Sequence, residues 1–293
     1  MNVIRNGFKP ASTVKALLGG LAASGLLALS LNAQAQTCVV TNWDIQTNLT
    51  NTDTGTPAAG NRRYGGPCGL RVPVDGTARF LTDESPTAES TYIARFYAFL
   101  DSAGADPMII YAAGDGSTDQ IQVWYNFPNA GDLTLRVKDS TAGNNDLTFS
   151  SVGTGWHSVE FVWESDASAE VRFAVNDDDP LNDQTMTVDT SGISIAEAFL
   201  GNPGGVNTGG TIDFDDFDSR RISRPGRLCR GDTDDNVSIS LADLNAVGNE
   251  VISGGTVISG GQPDYDENGV VGFSDLNNIF TNHVQIGNST CVF

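Results

Sequence analysis

The chain has 293 residues, with 16 Lys and Arg against 36 Asp and Glu, for a formal net charge of −20. So anionic a surface repels phosphate backbones, which excludes nucleic-acid binding as a function class. Hydrophobic residues at 39% and aromatics at 8% suffice for a core, so a wholly disordered chain is excluded too, and 33 glycines beside three lysines point to a turn-rich β protein rather than a helical bundle.

Residues 1–35 read as a secretory signal peptide. Arg5, Lys9 and Lys15 precede the apolar stretch Ala16 to Leu31, and Ala33-Gln34-Ala35 has the small-residue spacing that signal peptidase cleaves. A membrane anchor is the weaker reading, because the stretch is short and rich in Gly, Ala and Ser. No later stretch could span a bilayer, and Ala35-Gln36-Thr37 before Cys38 does not make a lipoprotein box. Removing the leader leaves 13 cations against 36 acids, a net charge of −23. The expected location is therefore outside the cell or on its surface. Four cysteines remain, as an oxidising compartment favours. Of the three connectivities, Cys38–Cys68 and Cys229–Cys291 are expected, since each pair brackets one segment. A metal-thiolate site is the competing reading, and only His157 and His283 could assist it.

Residues 36–218 alternate over short runs: Thr91 to Leu100, Ile121 to Tyr125, Leu133 to Val137, His157 to Trp163, Val171 to Val175 and Ile212 to Phe217. Turns at Pro128-Asn129-Ala130-Gly131-Asp132 and Asn176-Asp177-Asp178-Asp179-Pro180 bound them. Many short strands with no helix between them predict a mainly β, antiparallel jelly-roll sandwich. On the strand Ile121 to Tyr125, Trp124 shares a face with Gln122. Across the expected hairpin, Arg136 and Lys138 share a face with Thr134. A Trp that can stack on a sugar ring, beside cations that can meet acidic groups, makes Trp124, Arg136 and Lys138 the candidate ligand face. Covering a core edge and serving solubility are the ordinary alternatives.

Residues 219–230 carry Arg220, Arg221, Arg224, Arg227 and Arg230 around Pro225-Gly226 and read as a linker. Its arginines would dock against acidic neighbours, and a protease-sensitive hinge fits the composition equally. After Arg230 there is no Lys or Arg, but nine acids.

Residues 231–293 contain a repeat. Asp232 to Asp243 and Asp264 to Asp275 each place oxygen donors at positions 1, 3, 5 and 12 of a twelve-residue loop, followed by Leu-Asn. Calcium takes six to eight hard oxygen ligands, and this spacing wraps a short loop around one ion. Loop one would use Asp232, Asp234, Asn236, the Ser238 carbonyl, Ser240 and Asp243. Loop two would use Asp264, Asp266, Asn268, the Val270 carbonyl and Asp275. Val237 stands where the sharp turn favours the Gly that loop two has as Gly269, so loop one is expected to be the weaker site. Ile239 and Val271, at position 8, are expected to pair through a short β contact. Leu244 with Val247, and Leu276 with Ile279, line one face of each following helix.

From about Gly231 to Phe280 this block resembles the type I dockerin module. The resemblance implies a small α-helical fold held by two calcium ions and, in cellulosomes, a cohesin partner. The pair before the closing Asp is Leu241-Ala242 in one repeat and Phe273-Ser274 in the other, where dockerins usually carry hydroxyl or small polar residues that choose the cohesin. The β block resembles the concanavalin A-like lectin and glucanase sandwich, through Gly155-Trp156-His157-Ser158-Val159-Glu160-Phe161 and Gly210-Thr211-Ile212-Asp213-Phe214-Asp215-Asp216-Phe217. That family includes lectins, glycosidases, lyases and structural modules. Glu164, Asp166 and Glu170 have the spacing of a laminarinase-like retaining site. Such acids must share one face of one strand, whereas Ser165 to Ala169 reads as a turn. His157 lies in an apolar alternation and reads as a core or sheet-end histidine. The expectation is a non-catalytic protein binding a polysaccharide or cell-surface glycan. The alternatives are a polysaccharide-degrading glycosidase or lyase carrying a dockerin, and a purely structural surface protein.

Overall fold

The structure, a computed structural model, describes residues 38–41, 43–55, 62–65, 68–100, 106–177, 179–206, 208–233, 238–252, 263, 265, 271–287 and 289–290. The expected signal peptide lies outside the described residues. In chain order the strands are β1 (Ile45–Thr47), β2 (Thr54–Gly55), β3 (Gly69–Asp75), β4 (Arg79–Asp83), β5 (Thr91–Leu100), β6 (Met108–Gly114) and β7 (Asp119–Tyr125). They continue with β8 (Leu133–Lys138), β9 (Asn144–Phe149), β10 (Gly155–Glu164), β11 (Ala169–Val175), β12 (Gln184–Val188), β13 (Glu197–Asn202) and β14 (Thr208–Arg220). After them come β15 (Ser238–Ile239), α1 (Leu241–Ile252), α2 (Phe273–Ile279) and β16 (Ser289–Thr290).

Two antiparallel sheets of seven strands face each other, ordered β1-β4-β13-β6-β7-β8-β9 and β12-β11-β10-β5-β14-β3-β2. Their inner faces follow from the period of two. β5 sends Tyr92, Ala94, Phe96, Ala98 and Leu100 inward, and β10 opposite sends Val159, Phe161 and Trp163. Between the sheets Phe96 stacks on Tyr111 at 5.3 Å, and the buried Tyr111 hydroxyl donates to that of Tyr92 at 2.9 Å.

The outer face of the second sheet is unusually polar for a buried surface. Arg95, Tyr97, Ser158, Glu160, Asp213, Asp215 and Asp218 are all buried there. Residues 62–65 cover one part: the Tyr64 ring stacks on Tyr97 at 3.6 Å, and Asp215 accepts from the Tyr64 and Gly65 amides at 2.6 and 3.1 Å. A disulfide joins Cys38 to Cys68 beside this cover. Cys229 is also disulfide-bonded; its expected partner Cys291 lies outside the described residues. The other part is covered by the arginine-rich stretch. β14 runs two residues past the expected end of the sandwich, because Ser219 and Arg220 pair with Ala94 and Ile93 of β5.

A second, smaller cluster buries Ile239, Val247, Val271 and Ile279, with Leu244 and Leu276 packed against them from α1 and α2. The expected β contact between Ile239 and Val271 is not what forms. Ile239 pairs with Ser289 of β16, and Val271 contributes its side chain to the common core instead. Among the described residues β16 supplies the backbone partners of β15. Gly231, which opens this segment, has φ 83° and would bring a Cβ to 3.2 Å from Ile279 and 3.3 Å from Tyr265, so any other residue there would be strained. Among the described residues no helix is long and apolar enough to cross a membrane.

Candidate functional site

The outer face of the first sheet carries the side chains expected to touch a ligand. β7 and β8 pair with Gln122 opposite Arg136 and Trp124 opposite Thr134. Alternation sends Ile121, Val123, Leu135 and Val137 into the core and leaves Gln122, Trp124, Arg136 and Lys138 outside, each half-buried. The Trp124 indole N–H donates to Gln122 Oε1 at 2.9 Å, which fixes the ring against its own strand. Thr134, fully buried between them, bonds to the Phe127 carbonyl and, at 2.8 Å, to Thr148 Oγ1.

The cation chemistry differs from the expectation. Arg136 makes two hydrogen bonds to Asp146 of β9, both 2.8 Å, and that carboxylate raises its pKa further. Its guanidinium lies 4.6 Å from the Phe127 ring centroid and 5.6 Å from that of Trp124. Arg136 is thus a neutralised strut that props two aromatic rings, themselves 5.5 Å apart. Lys138 stands at the end of β8 opposite Asn144. The structure brings Trp124 and Arg136 together but leaves the face without a free guanidinium.

Sequence reasoning missed the rest of this face. Phe80 of β4 and Phe199 of β13 point outward because their neighbours Leu81 and Leu200 point into the core, and their rings meet edge-on at 5.3 Å. Ile109 of β6 sits opposite Trp124. The parity of β4 and β13 would have revealed both phenylalanines had those strands been recognised. At one end of the face the half-buried Glu197 carboxyl is pushed up by burial and by the charges of Glu84, Asp119 and Asp115. The face is therefore a row of half-exposed rings bordered by acids.

The laminarinase-like trio does not form a site. Glu164 ends β10, Asp166 caps the turn by accepting from the Ser168 amide at 2.8 Å, and Glu170 lies on β11, all exposed. His157 is buried at a sheet end with Nδ1 2.9 Å from Asn176 Nδ2.

In the C-terminal segment Asp234, Asn236, Asp264, Asp266, Asn268 and Val270 lie outside the described residues. Asp232, Asp243 and Asp275 are almost fully buried. Asp243 Oδ1 accepts from the Thr233 amide at 2.8 Å, and Oδ2 from the Ser240 amide at 2.8 Å. Asp275 Oδ2 accepts from the Gly272 amide at 2.7 Å, so the two repeats use the closing Asp in the same way, three residues after its donor. Ser238 starts β15, and Ser240 Oγ also reaches Asp243 at 3.1 Å. Among the described residues, no three His, Cys, Asp or Glu side chains gather closely enough to hold a metal ion.

No protein-family model matches the chain, and no curated protein matches it. Among solved structures it is similar to the endo-β-1,4-glucuronan lyase of the fungus Trichoderma reesei, with TM-score 0.44 and 13% identity over 61% of this chain and 91% of that one. It is also similar to the botulinum neurotoxin serotype D ligand-binding domain in complex with N-acetylneuraminic acid, with TM-score 0.40 and 10% identity over 53% of this chain and 39% of that one. A third is the botulinum neurotoxin type G receptor-binding domain, with TM-score 0.37 and 8% identity over 61% and 41%. The chain spans about four tenths of the two botulinum chains. At such scores the likeness goes no further than strands arranged as a sandwich.

Proposed function

We propose that this is an exported, non-catalytic polysaccharide-binding protein that carries a calcium-binding C-terminal module. The observation that supports the first part is the outer face of the first sheet. Trp124, Phe127, Phe80 and Phe199 share it, half-exposed, and the arginine among them is neutralised by Asp146. Flat rings offer stacking to the apolar faces of sugars, while a paired guanidinium offers little to a polyanion. The favoured ligand is therefore a neutral glycan, not an acidic one. Isothermal titration of neutral and uronic-acid polysaccharides tests this. Binding confined to the acidic polymers, or insensitive to Trp124→Ala, removes the reading.

The second part rests on the paired loops. Burying a carboxylate is costly unless it is hydrogen-bonded, ion-paired or bound to a metal. Asp243 and Asp275 are both fully buried, at the same position of two oxygen-rich loops, in a stretch whose sequence has no Lys or Arg after Arg230. This donor set suits a hard divalent cation. Asp232, Asp234, Asn236, the Ser238 carbonyl, Ser240 and Asp243 would hold one ion, and Asp264, Asp266, Asn268, the Val270 carbonyl and Asp275 a second. Bound calcium would neutralise these acids and fix the loops that precede α1 and α2.

A degrading enzyme is the second reading, favoured by one observation: Glu197, a carboxyl with a raised pKa, borders the aromatic face. Release of reducing or unsaturated ends from a bound polysaccharide, abolished by Glu197→Gln, would establish it in place of the non-catalytic reading.

A further inference from the structure

We propose that the outer face of the second sheet is a built receptor for the chain's own segment Arg224–Leu228, so that the stretch leading to the C-terminal module is a latched strap rather than a loose linker. This does not depend on the glycan or calcium readings.

The receptor is made of side chains, and it reads the backbone of the strap. The Gly226 amide donates to Glu160 Oε2 at 2.7 Å, and the Gly226 carbonyl accepts from Arg95 at 3.1 Å. The Leu228 amide donates to the Tyr97 hydroxyl at 2.7 Å, and the Arg224 carbonyl accepts from Arg220 at 3.2 Å. The Arg224 guanidinium closes the contact, with Glu160 on one side and Asp183 at 2.8 Å on the other. Glu160 and Arg95 are cross-strand neighbours of β10 and β5, each only 5% exposed. An open sheet face does not hold an acid and a guanidinium at such burial unless something covers and satisfies them.

The strap sequence suits this use. Pro225 fixes its own φ and so narrows the conformations lost on docking. Gly226 adopts φ 72°, which turns its N–H toward Glu160 and its carbonyl toward Arg95. The next residue after Leu228 is the disulfide-bonded Cys229, and the first acidic loop begins at Asp232. The C-terminal segment therefore starts from a fixed point on the side of the sandwich opposite the Trp124 face.

Limited trypsin digestion of the full chain tests the latch, because trypsin cuts after arginine and needs locally opened backbone. Arg227, within the strap, and Arg221, just before it, report its release, while Arg136 and Arg172, within β8 and β11, report opening of the sandwich. Glu160→Ala removes both carboxylate contacts and should raise strap cleavage at least tenfold, with cuts at Arg136 and Arg172 unchanged. Glu160→Gln, which retains an acceptor for the Gly226 amide, should fall between it and wild type. If Glu160→Ala opens all four sites together, Arg224→Ala decides, since that side chain lies at the rim with 23% exposure. Wild-type cleavage of the strap as fast as in Arg224→Ala would overturn the proposal. Faster cleavage of the variant at the strap alone would support it.

Discussion

Asp243→Asn is the sharpest probe of the calcium loops, because it changes charge and bonding but not shape. The Asp243 carboxylate takes hydrogen bonds on both oxygens, from Thr233 N at 2.8 Å and Oγ1 at 3.2 Å, and from Ser240 N at 2.8 Å and Oγ at 3.1 Å. The amide replaces one acceptor with a donor, so one of the two backbone N–H groups is left facing an NH2. A buried donor without a partner costs about 1–3 kcal/mol. If the loop binds calcium, a second loss adds to it. At free calcium a hundredfold above Kd, a site present only in the folded state contributes about 2.7 kcal/mol. Together these are large for a core whose buried apolar side chains, among the described residues, are Ile239, Val247, Val271 and Ile279.

Hydrogen–deuterium exchange of the full chain, with calcium and with chelator, measures the two terms separately. In the wild type, α1 amides should exchange about 100-fold more slowly in calcium, the factor that 2.7 kcal/mol represents. In Asp243→Asn the exchange of α1 should be faster even in chelator, by the bonding term, and calcium should no longer slow it through loop one. Amides of β5 and β10 should be unchanged throughout. Wild-type α1 that exchanges identically in calcium and chelator would refute the metal argument and leave Asp243 and Asp275 as helix-start caps only.

Three further outcomes follow from the geometry. Trp124→Ala should weaken neutral-polysaccharide binding by about 1 kcal/mol or more, roughly fivefold, and Lys138→Ala should weaken it less, measured by affinity electrophoresis. Burial, then the nearby Asp216 charge, pushes the Asp215 carboxyl well above its usual range. An acid whose folded pKa is raised holds its proton more tightly in the native state, so its contribution favours folding at low pH and is lost as pH climbs from the unfolded value through the folded one. Asp215→Asn should therefore flatten the fall of stability across that window in denaturant titrations, and an unchanged slope would locate the pH dependence elsewhere. Replacing Cys38 and Cys68 by Ser opens a loop with a sequence separation of 30, and the loop-closure relation puts the loss at about 3–4 kcal/mol, readable as a lower denaturation midpoint.

Legibility of the fold followed the strength of the alternation. β5 and β10 were bounded to within two residues, because Tyr92 to Leu100 and His157 to Trp163 alternate between a packed inner face and a covered outer one. β4 and β13 escaped notice because each is short, with Leu81 or Leu200 flanked by outward phenylalanine, so both faces read apolar and the period disappears. That omission hid half of the aromatic face. β9 escaped for the opposite reason, since Asn144-Asn145-Asp146 is polar throughout at a sheet edge; with it went the partner of Arg136. A strand-by-strand reading sees a cation, whereas the charge state of the face is set one strand away. The position-8 contact failed similarly: repeat symmetry pointed from Ile239 to Val271, and the nonrepeating Ser289 took the backbone pairing.

The distribution of arginine bears on which glycan this protein takes. Among the described residues eight arginines, at 62, 71, 79, 136, 172, 220, 221 and 224, lie within ion-pair distance of an Asp or Glu. Arg95 is buried and bonded to the carbonyls of Asp216 and Gly226. Of the 13 cations that follow residue 35, these nine are consumed in holding strands and strap together, against 36 acids. What remains outside is strongly negative, and over distances up to a Debye length of about 10 Å at 0.1 M salt it repels polyanions. A neutral glycan stacked on Trp124 and Phe127 senses none of this. Its binding should change less than about twofold between 0.05 and 0.5 M NaCl, because stacking displaces water rather than counterions. An acidic polysaccharide should bind better as salt screens the repulsion. A steep loss of neutral-glycan affinity with salt would show that charge, through Lys138 or an Arg136 released from Asp146, carries the recognition instead of the rings.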